Sequence, residues 1–188
     1  TQLDRSVRRL ALSFPTSAGK TLLAQLLIVT HIAAGGGDVC VVAPTHSLCR
    51  EIRASLDRRI SLIGGTTIDL GPVGLEDVVL PSARAVVMTP EKLAALLHND
   101  PSGTLSRFGL FVIDEAHLLA EGERGWALEE ALSVLHHLTR ETEHRLVVLS
   151  AALGNRTHIL QWLDAGEGDL RGRDLLEGDG ERLAGHRG

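Results

Sequence analysis

Two stretches of this chain place reactive side chains where local structure would hold them. "PTSAGKT", Pro15 to Thr21, sets Gly19, Lys20 and Thr21 directly after an apolar run and directly before a helical pattern. A small-residue turn at a helix start aims backbone N–H groups at one point. The Lys20 ammonium and Thr21 hydroxyl beside it suit a polyphosphate and its Mg²⁺. "VIDEAH", Val112 to His117, ends an apolar run in two adjacent carboxylates. Carboxylates at the end of a buried strand are costly unless a cation or hydrogen bonds hold them. Asp114 is therefore the candidate Mg²⁺ ligand, and Glu115 the candidate to orient and deprotonate an attacking water.

The composition supports the first stretch. The chain has 19 Lys and Arg, of which only Lys20 and Lys92 are lysine. A sequence that otherwise uses Arg keeps a compact ammonium after Gly19, where a planar fork would need more room. Phe14 stands where the G-x-x-x-x-G-K-[ST] pattern has its first glycine, but Gly19 retains the close backbone approach.

The elements that must position these residues alternate along the chain. Strands are expected at Leu10 to Phe14, Asp38 to Pro44, Thr66 to Leu70, Arg84 to Thr89, Leu110 to Asp114 and Arg145 to Ser150. Helical spacing covers Lys20 to Ala34, Ser47 to Ile60, Pro90 to His98 and Gly125 to Leu138, with Gly35 to Gly37 ending the first helix. Near-continuous Val/Ile/Leu strands separated by helices predict an α/β fold, a doubly wound, mainly parallel sheet with helices on both faces. In such sheets ligands bind outside the carboxyl ends of the strands, so the glycine loop and the acidic pair are expected on one edge.

In order and spacing, "PTSAGKT", "APTHSL", "VMTPEKL", "VIDEAH" and "LSAALGN" resemble motifs I, Ia, Ib, II and III of superfamily 2 helicases. "LGN" followed by Trp162-Leu163 resembles the Ski-like branch. The resemblance covers Leu10 to Leu163, and it implies the first RecA-like, P-loop NTPase domain of a DEAH-box helicase or translocase. It implies ATP and Mg²⁺ as cofactors, with Pro15, Thr16, Ser17, Ala18, Gly19, Lys20 and Thr21 around the phosphates. Thr21 and Asp114 would hold the metal, and Glu115, Lys20 and Asp114 would be the catalytic set. Pro44, Thr45, Thr89 and Pro90 match motifs that contact the backbone of single-stranded nucleic acid, DNA or RNA. His117, Ser150 and Ala152 match positions that link the two sites. A second RecA-like domain of the same protein is the implied partner, and without it a fragment should hydrolyse ATP hardly at all. A non-unwinding nucleic-acid switch, or an ATPase subunit of a larger defence or repair complex, is the alternative.

The chain departs from that pattern at Phe14, at His46, where Arg is frequent, and at Ala152, where motif III usually ends in Thr. Residues 1–164 read as one domain and 165–188, rich in Gly, Asp and Arg, as a linker or disordered tail. The net charge of -5 gives no global basic footprint, so nucleic-acid contact must be local. Cys40 and Cys49 lack metal-ligand spacing and read as free thiols of an intracellular, cytoplasmic protein. No apolar stretch reaches the roughly 18 residues of a membrane span. The start reads as cut, with no signal peptide. Scattered histidines, His136 and His137 among them, lack ligand spacing for a metal. Trp126 and Trp162 read as packing residues rather than base-stacking platforms.

Overall fold

The computed structural model describes residues 8–13, 17–70, 82–116, 119 and 123–150. Phe14, Pro15, Thr16, His117, Ala152 and Trp162, like the expected tail at 165–188, lie outside the described residues.

Six strands form one sheet: β1 (Arg9–Ser13), β2 (Asp38–Val42), β3 (Thr66–Asp69), β4 (Ala83–Met88), β5 (Phe108–Ile113) and β6 (Arg145–Ser150). Their order is β1-β6-β5-β2-β4-β3, and every pairing is parallel. The helices are α1 (Ser17–Ala33), α2 (His46–Ser61), α3 (Pro90–Asn99), α4 (Pro101–Arg107) and α5 (Glu123–Thr139).

Successive strand residues face opposite sides, which divides the core in two. Val39 and Val41 of β2, with Leu110 and Val112 of β5, pack against Leu27 and Ile28 of α1 and Leu56 and Ile60 of α2. Cys40 and Val42, with Phe111 and Ile113, pack against Leu93 and Leu97 of α3 and Leu128, Leu132 and Leu135 of α5. Each such side chain contributes roughly 1.5–3 kcal/mol on burial. The doubly wound parallel α/β sheet expected from the sequence is therefore the observed fold, consistent with a RecA-like domain.

Element bounds shift by a few residues. Helix α1 begins at Ser17, three residues before the expected Lys20, so the phosphate-loop lysine already sits inside the helix. Helix α4 is an element that the sequence pattern does not predict. Asp100 caps it by accepting from the Gly103 N–H at 2.8 Å, and Pro101 opens it. Both signals are visible in the sequence, but seven residues are too few for an apolar period to show.

At the opposite end of the sheet, Asp38 bridges two arginines. Its Oδ1 accepts from Arg84 Nε at 3.0 Å, and its Oδ2 lies 3.3 Å from Arg107 Nε. No helix among the described residues is long and apolar enough to cross a membrane.

Candidate nucleotide and nucleic-acid site

Lys20 lies in the first turn of α1 and is only 3% exposed. Its Nζ is 3.2 Å from Asp114 Oδ1 and also bonds Glu115 Oε1. The two motifs, distant in sequence, thus meet at one edge of the sheet. Thr21 is exposed beside Lys20, and Gly19 leaves its backbone open just before it.

The acidic pair is set by backbone geometry. The Asp114 N–H donates to the Val42 carbonyl at 2.9 Å, extending the β5–β2 ladder one residue past the strand. Asp114 Oδ1 also accepts from the Glu115 N–H at 2.9 Å. Glu115 has φ +56°, the left-handed region that costs a non-glycine residue about 1–3 kcal/mol. Among the described residues no other non-glycine adopts it. The turn returns the Glu115 carboxylate to Lys20 instead of releasing it to solvent. Burial raises the Asp114 pKa above the ordinary carboxylate value; Lys20 opposes this and Glu115 adds to it.

Ser150 ends β6, beside Ser13 of β1 in register. It is fully buried, and its Oγ has no hydrogen-bond partner among the described residues. The remaining residues at this edge differ in access. Thr45 is exposed and caps α2, accepting from the Leu48 N–H at 3.2 Å, so its hydroxyl proton stays available. Thr89 and Pro90 are buried, and Glu91 is the exposed residue in the first turn of α3. Trp126 corrects an expectation: it is 66% exposed rather than packed, because it lies on the outer side of α5. Ser17 and Ala18 occupy the first two positions of α1.

The sequence reading misses one polar residue. Gln25, one turn beyond Lys20, is buried and donates through Nε2 to Ser55 Oγ of α2, tying the two helices together. Its signal is a polar interruption of an apolar run. A cavity of about 30 Å³, room for about one water, lies below Lys20 between Gln25, Ile52, Leu56, Val112 and Asp114.

The chain matches the DEAD/DEAH box helicase family over residues 3–159. It belongs to that family, within superfamily 2. Relatives of this helicase domain include the ATP-dependent DNA helicase Hel308 of Thermoplasma acidophilum, 32% identical over 96% of this chain and 28% of the relative. Hel308 of Thermococcus kodakarensis is 29% identical over 84% of the chain and 14% of its own length. The Hachiman protein HamB of Bacillus cereus is also 29% identical over 84% of the chain and 14% of its length. The chain thus spans less than a third of each of these relatives.

The family uses ATP, generally with Mg²⁺, and the donor set fits both. Hard oxygen donors from Thr21 and Asp114 suit Mg²⁺, which takes one or two carboxylates and completes its shell with phosphate and water. The buried Lys20 ammonium is held by two carboxylates, and a Mg²⁺ at Asp114 would offset their charge and leave the ammonium to phosphate oxygens.

Proposed function

We propose that this helicase domain is the first motor domain of a nucleic-acid helicase or translocase of the Ski-like branch, binding Mg-ATP at Lys20, Thr21, Asp114 and Glu115. The observation that carries the reading is the meeting of Lys20 with both carboxylates at the carboxyl edge of a parallel sheet. Mg²⁺, when bound to Thr21 and Asp114, supplies charge neutralisation at the phosphates. Lys20 exchanges its carboxylate partners for phosphate oxygens, with Thr16 to Gly19, after Pro15, offering backbone N–H groups. Glu115, released from Lys20, accepts the proton of the attacking water.

Residues 1–164 would make up the domain and 165–188 a linker or disordered tail, with a second RecA-like domain of the same protein as partner. Pro44 and Thr45, with the start of α3 at Thr89 and Pro90, hold the sugar-phosphate backbone of a single strand without reading bases. Ser150, His117 and Ala152 would link the two sites. Ser150 suits this role because its buried hydroxyl sits between the ends of β1 and β5 with no partner among the described residues. Closure against the second RecA-like domain would bring an arginine finger, worth on the order of 10³ to 10⁵ in rate.

The test is the ATPase rate of the longer protein that contains this domain, with single-stranded DNA and RNA compared and Glu115→Gln as control. Stimulation by either strand, lost in the control, supports the motor reading. Absence of stimulation by both, with ATP still bound, moves the assignment to the non-unwinding switch.

A further inference from the structure

In a chain of net charge -5, helix α2 carries Arg50, Arg53, Arg58 and Arg59 against only Glu51 and Asp57, and all four arginines are exposed. They are not spread evenly. At about 100° per residue, His46, Arg50, Arg53 and Asp57 fall within roughly 60° of arc, whereas Arg58 and Arg59 point elsewhere. The buried Cys49, Leu56 and Ile60 fix the face that meets the sheet, and Ser55, bonded to Gln25, fixes the flank toward α1. The stripe lies on the other flank, toward β3, the edge strand of the sheet.

Strand β3 presents polar groups to that flank. Thr67 and Asp69 share the face that meets α2, and Thr67 Oγ1 and Asp69 Oδ1 are buried oxygens with no hydrogen-bond partner among the described residues. A partly buried carboxylate without hydrogen bonds needs compensating charge. Burial raises the Asp69 pKa, and His46, Arg53 and Arg50 are the groups that oppose it. The arginines are only loosely engaged otherwise. Arg50 Nε reaches the His46 carbonyl at 3.4 Å, and Arg53 Nε is 3.7 Å from Asp57 Oδ2.

We propose that Arg50 and Arg53 extend the nucleic-acid backbone track from Thr45 along the groove between α2 and the edge of β3, with Asp69 as the internal anion that holds them until phosphates replace it. The inference rests on the nucleic-acid reading above. It also accounts for His46. Where an Arg is frequent next to Thr45 this chain has His46, and the permanent positive charge sits one and two turns further along the same stripe, at Arg50 and Arg53.

The test measures binding of a labelled oligothymidylate and an oligouridylate to this chain by fluorescence anisotropy over a range of salt. Each lost phosphate contact lowers the slope of log K against log salt by about 0.7 for a single strand, so Arg50→Gln with Arg53→Gln should lower it by about 1.4. The charge-preserving pair Arg50→Lys with Arg53→Lys should keep the slope. Arg58→Gln with Arg59→Gln should leave it unchanged. Asp69→Asn should tighten binding at low salt. An unchanged slope in the first pair, or an equal loss in the Arg58 and Arg59 pair, overturns the inference while the motor reading stands. Weaker binding by Asp69→Asn overturns the role given to that carboxylate. Failure of the unaltered chain to bind either oligonucleotide overturns the nucleic-acid reading and this inference together.

Discussion

Lys20 Nζ lies 3.2 Å from Asp114 Oδ1, a single contact that joins the first turn of α1 to the end of β5. The Lys20 side chain is almost wholly buried, and its second partner, Glu115, also sits inside this edge. Removing the ammonium leaves two carboxylates facing each other with no cation between them. Lys20→Ala should therefore abolish nucleotide binding and also destabilise the fold, by about 3 kcal/mol. Adding Asp114→Asn should restore most of that stability but none of the binding. Urea unfolding of the single and double variants checks it; equal loss in both would show that the pair is not coupled.

Asp114 carries a predictable pH signature. Its folded pKa lies above the ordinary value, chiefly through burial, so the folded state binds the proton more tightly than the unfolded chain. Below the unfolded pKa both states are protonated and Asp114 has no effect. As pH rises through the folded pKa, the native carboxylate must ionise in a partly buried site, and the destabilising contribution is complete above that point. Asp114→Asn should remove this dependence. The variant is expected to unfold at neutral pH no more easily than the parent, with the difference vanishing at low pH, while ATP turnover is lost. Thermal melts across the acidic range read the effect.

The Asp38 bridge to Arg84 and Arg107 stands at the opposite end of the strands. Arg107 Nη2 also donates to the Ala83 carbonyl at 3.2 Å. Asp38→Ala leaves both guanidiniums without their shared acceptor and should cost about 2 kcal/mol. A strand's length, roughly 16 Å, separates this bridge from the carboxyl edge. Nucleotide affinity is accordingly expected to survive, which fluorescent-nucleotide titration of the folded variant would read.

Cys40 and Cys49 are buried free thiols. Burial, then Asp69, pushes Cys49 up to about 12, and burial pushes Cys40 well above the ordinary thiol range. Thiolate is the reactive species, so neither residue should be alkylated by iodoacetamide in the folded protein near neutral pH. Both should react once urea unfolds it. Rapid labelling of Cys49 in the native protein would mean that α2 opens locally.

The sheet is legible in the sequence because its strands are buried on both faces and read as unbroken apolar runs, as in "LFVID" and "RLVVLS". The acidic pair and glycine loop are legible because their spacing to strand ends is local. Strand order is not, since it depends on pairings far apart in sequence, such as β1 with β6. Nor is the left-handed backbone at Glu115, where propensity argues for glycine and tertiary contact with Lys20 prevails. The exposure of Trp126 escapes the sequence because a single side chain on a weakly amphipathic helix carries no periodic signal of its own.

The hydrogen bond from the Asp114 N–H to the Val42 carbonyl sets a fixed gauge. Adjacent strands stand about 4.8 Å apart, and Thr45 follows closely after Val42 in the chain. The proposed metal ligand and the proposed strand contact are therefore separated by a lattice constant of the backbone rather than by adjustable side chains. Point substitutions can change how firmly either site grips. They cannot slide one site relative to the other without breaking the sheet.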